Sequence, residues 1–125
     1  MTKICIVTGA SQGLGRGIAK VLAEEESATV YATARSEQAL NELASSIEGN
    51  GAIHPIVLDQ NDDSAVEQFV SEVAEKEKQI DVLVNSAYGG LKAIAPHFGK
   101  PFWERPVSVF DASINIGLRS AYVMS

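Results

Sequence analysis

The sequence contains little of what disulfide-bonded proteins and metalloproteins need. Of its 125 residues, one is cysteine and two are histidine. Cys5 has no partner for an internal disulfide, and its place between Ile4 and Ile6 predicts a small buried residue of a strand. His54 and His97 have no second ligand at a useful spacing, which argues against a metal site and against a Ser-His-Asp triad. Neither chemistry is therefore expected of this chain.

Long apolar runs and clusters of positive charge are also missing. No run approaches the roughly 18 apolar residues that span a bilayer, and the amino terminus has neither a basic region nor a signal-like apolar core. The formal net charge is -6 and the ten Lys and Arg residues form no stripe, which argues against a nucleic-acid surface. These absences predict one soluble domain, residues 1–125, that acts on a small molecule in the cytoplasm or another intracellular compartment.

The most informative stretch is a glycine-rich segment that reads Thr8-Gly9-Ala10-Ser11-Gln12-Gly13-Leu14-Gly15. It follows the apolar run 4–7, which predicts a strand, and precedes residues 18–26, which predict a helix. Glycines let the backbone turn tightly and approach a pyrophosphate, and the amino end of a helix offers unpaired N–H groups to the anion. The order therefore predicts a dinucleotide site with Gly-x-x-x-Gly-x-Gly spacing. The alternative is a glycine-rich turn that binds nothing.

Strands and helices alternate along the rest of the chain. Further strands are predicted at residues 29–34, 53–58 and 80–85, with Ser36 and then Asp62 or Asp63 as caps of the intervening helices. Pro55 suits a sheet edge, because one row of N–H groups there has no partner, and the third strand is that edge in the order 3-2-1-4. The pattern predicts an α/β fold with a Rossmann-type doubly wound parallel sheet.

The last part of the chain predicts a long loop and then a helix. Residues 86–106 indicate the loop, and the helical pattern begins at Val107. It has no glycine stop, proline or charged tail after it, so we expect the fold to be truncated after the helix that follows the fourth strand.

Four motifs together resemble the short-chain dehydrogenase/reductase family over residues 3–125. They are the glycine turn, Asp59 after the third strand, Asn85-Ser86-Ala87 after the fourth strand, and Asn115 in the following helix. Members of that family are NAD- or NADP-dependent oxidoreductases on a Rossmann fold, commonly about twice this length. The resemblance therefore implies a small-molecule carbonyl or alcohol substrate and a homo-oligomer for the full-length protein.

The resemblance also implies a role for each matched residue. Asp59 and Gln60 would contact the adenine, Asn85 and Ala87 the ribose and nicotinamide side, and Asn115 would organise a water in a catalytic proton relay. The glycine turn would hold the phosphates and the adenosine side of the cofactor through Thr8, Gly9, Ser11, Gln12, Gly13, Leu14 and Gly15.

The chain departs from the family pattern in two ways. The usual Asn-Asn-Ala-Gly is Asn85-Ser86-Ala87-Tyr88, which puts a bulky ring where a glycine is expected. The catalytic serine and Tyr-x-x-x-Lys pair of the family belong to elements beyond residue 125. Tyr88 and Lys92 have the right spacing, but two glycines lie between them and argue against one helix face holding both. We therefore expect the chain alone to be inactive.

The end of the second strand favours NADP over NAD. NAD-binding Rossmann domains place a carboxylate there for the ribose 2′-hydroxyl, whereas NADP needs a cation for the 2′-phosphate. This chain has Arg35 and Ser36, which offer bidentate recognition, a hydroxyl and a helix amino end. Gln12, where family members often carry a second basic residue, weakens this case, and Arg16 could substitute. The alternative is that Arg35 is a surface charge.

Two functions remain open on the sequence. The first is the cofactor-binding half of an NADP-dependent oxidoreductase of the carbonyl reductase or alcohol dehydrogenase type. The second is a truncated, non-catalytic nucleotide-binding protein, or a partner that competes for the subunit interface of a full-length relative.

Overall fold

The computed structural model describes residues 2–87, 96, 99–104, 106–112, 114 and 120–124. Strands and helices alternate from the amino terminus, as the sequence predicts. The elements are β1 (Ile4–Thr8), α1 (Gly13–Glu24), β2 (Thr29–Ala34), α2 (Glu37–Ser45), β3 (Ala52–Val57), α3 (Asp63–Glu77) and β4 (Val82–Val84). Beyond β4, the described residues include a 3-10 turn (Phe102–Glu104), α4 (Val107–Ala112) and α5 (Ser120–Met124).

The strands form one parallel sheet in the order β3-β2-β1-β4. This confirms the doubly wound fold and the edge position of β3, where Pro55 pairs with Ala32 and a missing N–H is tolerated. The predicted bounds of β2 agree with the structure, whereas β4 is shorter than predicted and pairs with β1 from Val82 to Val84. Parallel strands bring all four carboxyl ends to one edge of the sheet.

Alternating side chains divide the core into two layers. Cys5, Val7 and Val30 point toward α1 and α2, whereas Ile6 and Tyr31 point toward α3 and α5. This is the period of two that a strand imposes, and both faces are apolar because helices cover both. Cys5 is fully buried, as predicted, and burial raises the pKa of its thiol.

Capping differs between the first helix and the next two. The Ser36 hydroxyl accepts the N–H of Ala39 at 3.3 Å, and the Asp62 carboxylate accepts that of Ala65 at 3.1 Å. Both residues are predicted caps. For α3 the sequence allowed Asp62 or Asp63, and the structure has Asp62 in this position. The cap position of α1 is held by Gln12, whose side chain makes no capping hydrogen bond. The amino end of α1 is therefore open, which matters for the site described below.

A tyrosine of β2 contacts both the edge strand β3 and helix α3, on the opposite side of the sheet from α1. The Tyr31 hydroxyl donates to Glu77 Oε1 at 2.6 Å, and its ring stacks on His54 with centroids 5.0 Å apart. The edge of Phe69 lies against the same ring at 6.3 Å. Burial, followed by the hydrogen bond to Glu77, raises the pKa of Tyr31 to about 12. His54 thus packs against the core at the edge of the sheet.

Among the described residues after β4, helix α5 contributes to this core. Met124 is buried, and α5 packs against α3. The apolar side chains of Val109, Phe110 and Leu118 lie outside the described residues, and Ile114 is half-buried. Within the ranges given above, no helix has the length and apolar character that crossing a membrane requires.

Candidate cofactor-binding site

Hydrogen bonds join the turns that follow the four strands at the carboxyl edge of the sheet. The N–H of Ala10, in the glycine turn, donates to the carbonyl of Thr33 at 3.1 Å. The N–H of Leu58, after β3, donates to the carbonyl of Ala34 at 2.9 Å. The turns after β1, β2 and β3 therefore lie side by side, and the next contacts add the turn after β4.

Thr8 connects the glycine turn to the turn after β4. Its hydroxyl oxygen accepts the N–H of Ser86 at 3.0 Å and the N–H of Ala87 at 3.2 Å, and the hydroxyl lies 3.4 Å from the carbonyl of Val84. The residue is 1% exposed. A hydroxyl can donate one hydrogen and accept two, so these three bonds use its full capacity. Thr8 is therefore a positioning residue, since nothing of its side chain is left for a ligand.

Two glycines of the turn are required by close backbone packing. Gly9 has φ +63, and a Cβ on it would lie 2.6 Å from the carbonyl oxygen of Ser86. A Cβ on Gly15 would overlap the carbonyl of Gly9 and lie 3.1 Å from Ser86 Oγ. The first turn of α1 can thus approach both neighbouring turns only because these side chains are absent.

Gly13 differs, because the space beside it is open. Its φ is +60, and a Cβ there would meet no atom within 4 Å. The first intrahelical bond of α1 runs from the N–H of Arg16 to the carbonyl of Gln12 at 3.4 Å, so the N–H groups before it have no place in the helix ladder. Leu14 is 77% exposed beside them, and Ser11 is half-buried. Open space, unpaired N–H groups and the positive end of a helix dipole together make an anion site.

The end of β2 carries a cation and no carboxylate. Arg35 is exposed and makes no hydrogen bond or ion pair with any residue that the structure describes. Ser36 follows as the cap of α2, and Glu37 is the first carboxylate after β2, inside the first turn of that helix. A second helix amino end therefore lies at the carboxyl edge, next to the guanidinium.

The turn after β3 contains polar groups in two different states. The exposed Asp59 carboxylate accepts the N–H of Asn61 at 2.9 Å, which fixes the turn. Gln60 is 8% exposed, and neither its buried Nε2 nor the buried hydroxyl of Thr33 has a hydrogen-bond partner among the described residues. Each unsatisfied buried group costs about 1–3 kcal/mol. Buried polar groups of this kind usually bind a water molecule or a ligand.

The remaining predicted residues are divided between the described and undescribed parts of the chain. Asn85 is exposed at the end of β4, where it is engaged with another group, and Ala87 is half-buried in the following turn. Asn115 lies outside the described residues, as do Tyr88 and Lys92. The structure thus brings the residues after β1, β2, β3 and β4 to one edge and leaves the catalytic expectation for Asn115 untested.

Two contributors to this geometry were missed by the sequence analysis. Ser86 supplies a carbonyl against Gly9 and a hydroxyl against Gly15. Asp81 fixes the other end of β1, because its Oδ2 accepts the N–H of Ile4 at 2.8 Å and its own N–H donates to the Ile4 carbonyl at 2.8 Å. The signal for Asp81 is a carboxylate just before an apolar strand.

The described residues fit a dinucleotide. Gly13 leaves space and unpaired N–H groups where a pyrophosphate needs both, and Arg35 supplies a cation at the next strand. The crevice lies at the carboxyl ends of β1 and β4, where the strand order reverses. This is the position at which doubly wound sheets bind nucleotides.

A comparison with protein families agrees with this geometry. Residues 3–125 match the model of the short chain dehydrogenase family. The chain therefore belongs to the short-chain dehydrogenase/reductase family, a family of oxidoreductases with a nucleotide-binding fold.

Within the family, the segments 85–90, 102–106 and 115–119 indicate a resemblance to dehydrogenase/reductase SDR family member 1, which the comparison confirms. The chain is 42% identical to that protein from Mus musculus over 125 residues and 41% identical to the one from Homo sapiens. The alignments cover 98% of this chain and 40% of each relative, so the chain spans less than half of their length.

Solved structures of the family have the same fold. A metagenomic short-chain oxidoreductase in complex with NADP superposes with a TM-score of 0.83 and 30% identity, over 98% of this chain and 52% of the other. A short chain dehydrogenase from Bacillus anthracis gives 0.82 and 30%, over 98% and 48% of the two chains.

Proposed function

We propose that this chain is the cofactor-binding part of an NADP-dependent oxidoreductase that acts on carbonyl or hydroxyl groups of small molecules. Residues 1–125 would then form the amino-terminal portion of a dinucleotide-binding domain. The observation that carries the proposal is the open amino end of α1 at Gly13, adjacent to a strand end that carries Arg35 instead of a carboxylate.

The phosphates of the cofactor would bind at the first turn of α1. The N–H groups of Gly13, Leu14 and Gly15 precede the first intrahelical bond and lie at the positive end of the helix dipole. Ser11 and Gln12 lie in the turn that leads to them, and Gly9 lets that turn pack against residue 86. A pyrophosphate would satisfy N–H groups that the fold leaves unpaired.

The adenosine end of the cofactor would extend across β2 and β3. A guanidinium binds a phosphate bidentately, so Arg35 together with the capped amino end of α2 favours a ribose that carries a 2′-phosphate. Asp59 and Gln60 follow the neighbouring strand, where they would contact the adenine. The resident cofactor of an NADP-dependent member accepts or donates hydride when bound.

The nicotinamide end would lie toward β4. Asn85 and Ala87 stand in the turn that Thr8 holds in place, and that turn adjoins the amino end of α1. Two neighbouring turns of fixed separation would hold the ribose and ring of the cofactor. Asn115 would organise a water for proton transfer in the complete protein.

Direct binding tests this proposal without requiring turnover. The 125-residue chain should bind NADP⁺ more tightly than NAD⁺ in calorimetric titrations at one fixed ionic strength. Equal affinity for the two would remove the NADP assignment but keep the nucleotide site. A chain that binds neither would contradict the cofactor-binding role itself.

A further inference from the structure

Arg16 is a half-buried cation immediately after the glycine turn. It lies within α1, and its N–H makes the first intrahelical bond. Its guanidinium makes no hydrogen bond or ion pair with any residue in the described part of the chain. A guanidinium offers up to five N–H donors, and that of Arg16 has no acceptor among the described residues.

Helix geometry places Arg16 on the flank of α1 that faces β2 and β3. Arg16 and Ala23 are seven residues apart, so they lie on nearly the same face, two turns from each other. The carbonyl of Ala23 approaches Gly51, which directly precedes β3. Since α1 runs antiparallel to the strands, Ala23 marks the amino edge of the sheet and Arg16 marks the carboxyl edge on the same flank.

A row of charged residues along α1 supports this placement. Lys20 and Glu24 follow Arg16 at steps of four residues, and they form an ion pair at 3.9 Å. Glu24 Oε1 also accepts the N–H of Glu48, in the connection between α2 and β3, at 3.3 Å. The charged groups at the far end of the row therefore have partners. The guanidinium of Arg16, at the near end, has none among the described residues.

The near end of the row lies at the same edge of the sheet as the end of β2. The glycine turn is bonded to β2 through the N–H of Ala10 and the carbonyl of Thr33, two residues before Arg35. The amino ends of α1 and α2 both lie at this edge. Two guanidiniums and two helix amino ends thus flank one region, which favours an anion of high charge.

We infer that Arg16 is a second specificity-determining residue for the 2′-phosphate of the cofactor, acting from α1 while Arg35 acts from the end of β2. The inference rests on the proposed NADP site. Gln12 is neutral, so the glycine turn itself contributes no charged side chain. A 2′-phosphate would give Arg16 a charged acceptor, whereas a 2′-hydroxyl carries no charge to attract it.

The test compares two ligands that differ in the 2′-phosphate alone. Calorimetric titrations of 2′,5′-ADP and 5′-ADP are made on the parent chain, on Arg16→Gln and on Lys20→Gln. The matched control removes one positive charge from the same row, one turn farther along. Loss of a charge-assisted hydrogen bond should weaken 2′,5′-ADP about ten- to hundredfold in Arg16→Gln, with 5′-ADP nearly unchanged. Lys20→Gln should leave the ratio of the two affinities as in the parent.

The possible outcomes distinguish the role of Arg16 from the proposed NADP site. If Arg16→Gln weakens both ligands equally, or neither, Arg16 does not read the 2′-phosphate. If Arg35→Asp abolishes the preference for 2′,5′-ADP but Arg16→Gln does not, the NADP site stands and this inference is wrong. If the parent itself shows no preference, both are wrong. Should Arg16→Gln fold poorly by circular dichroism, Arg16→Lys, which keeps the charge but not the planar fork, should show a smaller loss of the same ratio.

Discussion

The hydroxyl oxygen of Thr8 lies 3.0 Å from the backbone nitrogen of Ser86, although the two residues are 78 positions apart in the chain. This bond and its neighbour to Ala87 fix the turn after β4 against the turn after β1. At the opposite end of β1, Asp81 binds both backbone polar groups of Ile4. The two strands that flank the candidate site are therefore fastened at both ends, and the separation of their turns is set by the sheet.

Replacing Thr8 tests this fastening. Thr8→Val keeps the shape of the side chain but removes the hydroxyl, which leaves two N–H groups without their acceptor. We expect the free energy of unfolding to fall by about 1–3 kcal/mol, with weaker NADP⁺ binding because the turn after β4 is loosened. Urea unfolding and calorimetry measure the two effects. Thr8→Ser retains the hydroxyl, so its stability and NADP⁺ affinity should be close to those of the parent. If Thr8→Val and Thr8→Ser behaved alike, the positioning role of Thr8 would be contradicted.

Gly13→Val should abolish nucleotide binding while leaving most of the fold. A side chain there meets no protein atom within 4 Å, so it adds backbone strain at φ +60 without a clash. That strain costs roughly 1–2 kcal/mol. The valine would instead fill the space beside the unpaired N–H groups, which a pyrophosphate requires. The control is Gly17→Ala, which also faces open space but lies farther along α1. It should bind NADP⁺ normally, and normal binding by Gly13→Val would remove the glycine turn from the site.

Arg35→Asp should shift the cofactor preference from NADP toward NAD. The new carboxylate repels a 2′-phosphate and can accept a hydrogen bond from a 2′-hydroxyl. Dissociation constants of NADP⁺ and NAD⁺ are compared in the parent, in Arg35→Asp and in Arg35→Gln, which removes the charge without reversing it. We expect the ratio to change progressively through the three proteins. An unchanged ratio would make Arg35 a surface charge.

Tyr31 predicts a loss of stability at alkaline pH. A tyrosine in an unfolded chain has a pKa of about 10, whereas the pKa of Tyr31 in the fold is raised to about 12. Between these values the folded state holds a proton that the unfolded state has released, so the free energy of unfolding falls as pH rises. The contribution of Tyr31 to the free energy of unfolding is complete below the pKa of the unfolded chain and is lost above the pKa of the folded protein.

Urea unfolding of the parent and Tyr31→Phe across this pH range measures the effect. The variant should be less stable by about 1 kcal/mol at pH 7, since it loses the hydrogen bond to Glu77. Between the two pKa values, the free energy of unfolding of the variant should fall less steeply with pH than that of the parent. Tyr122→Phe, which alters an exposed tyrosine, should decline like the parent. Parallel curves for Tyr31→Phe and the parent would show that Tyr31 does not carry this pH dependence.

The 125-residue chain should show no measurable dehydrogenase activity. General acid-base catalysis contributes typically about 10² to 10⁴ in rate, and Tyr88 and Lys92 are a poor candidate pair because Gly89 and Gly90 separate them. Nicotinamide absorbance followed against a panel of ketones and alcohols tests this expectation. Turnover that disappears in Tyr88→Phe would show that this pair is catalytic after all.

The sequence was sufficient for the features that depend on near neighbours. The alternating apolar residues of β2, the cap at Ser36 and the glycine turn before α1 each involve residues within about four positions of one another. Pro55 also predicted the edge strand, because a missing N–H limits where its strand can pair. The strand order followed from the doubly wound arrangement that alternating strands and helices predict.

Only the tertiary structure decided how the polar groups at the carboxyl edge are used. The family resemblance implies that Thr8 helps to hold the cofactor, and the structure shows that its hydroxyl bonds to the turn after β4. The sequence gave no sign that Thr33, Gln60 and Arg16 have side-chain polar atoms without a partner in the described part of the chain. Such facts depend on the register of strands that are distant in the chain, and a shift of one residue would turn every side chain to the opposite face. Local patterns choose the elements, but only their packing determines which hydrogen-bonding groups are satisfied and which remain for a ligand.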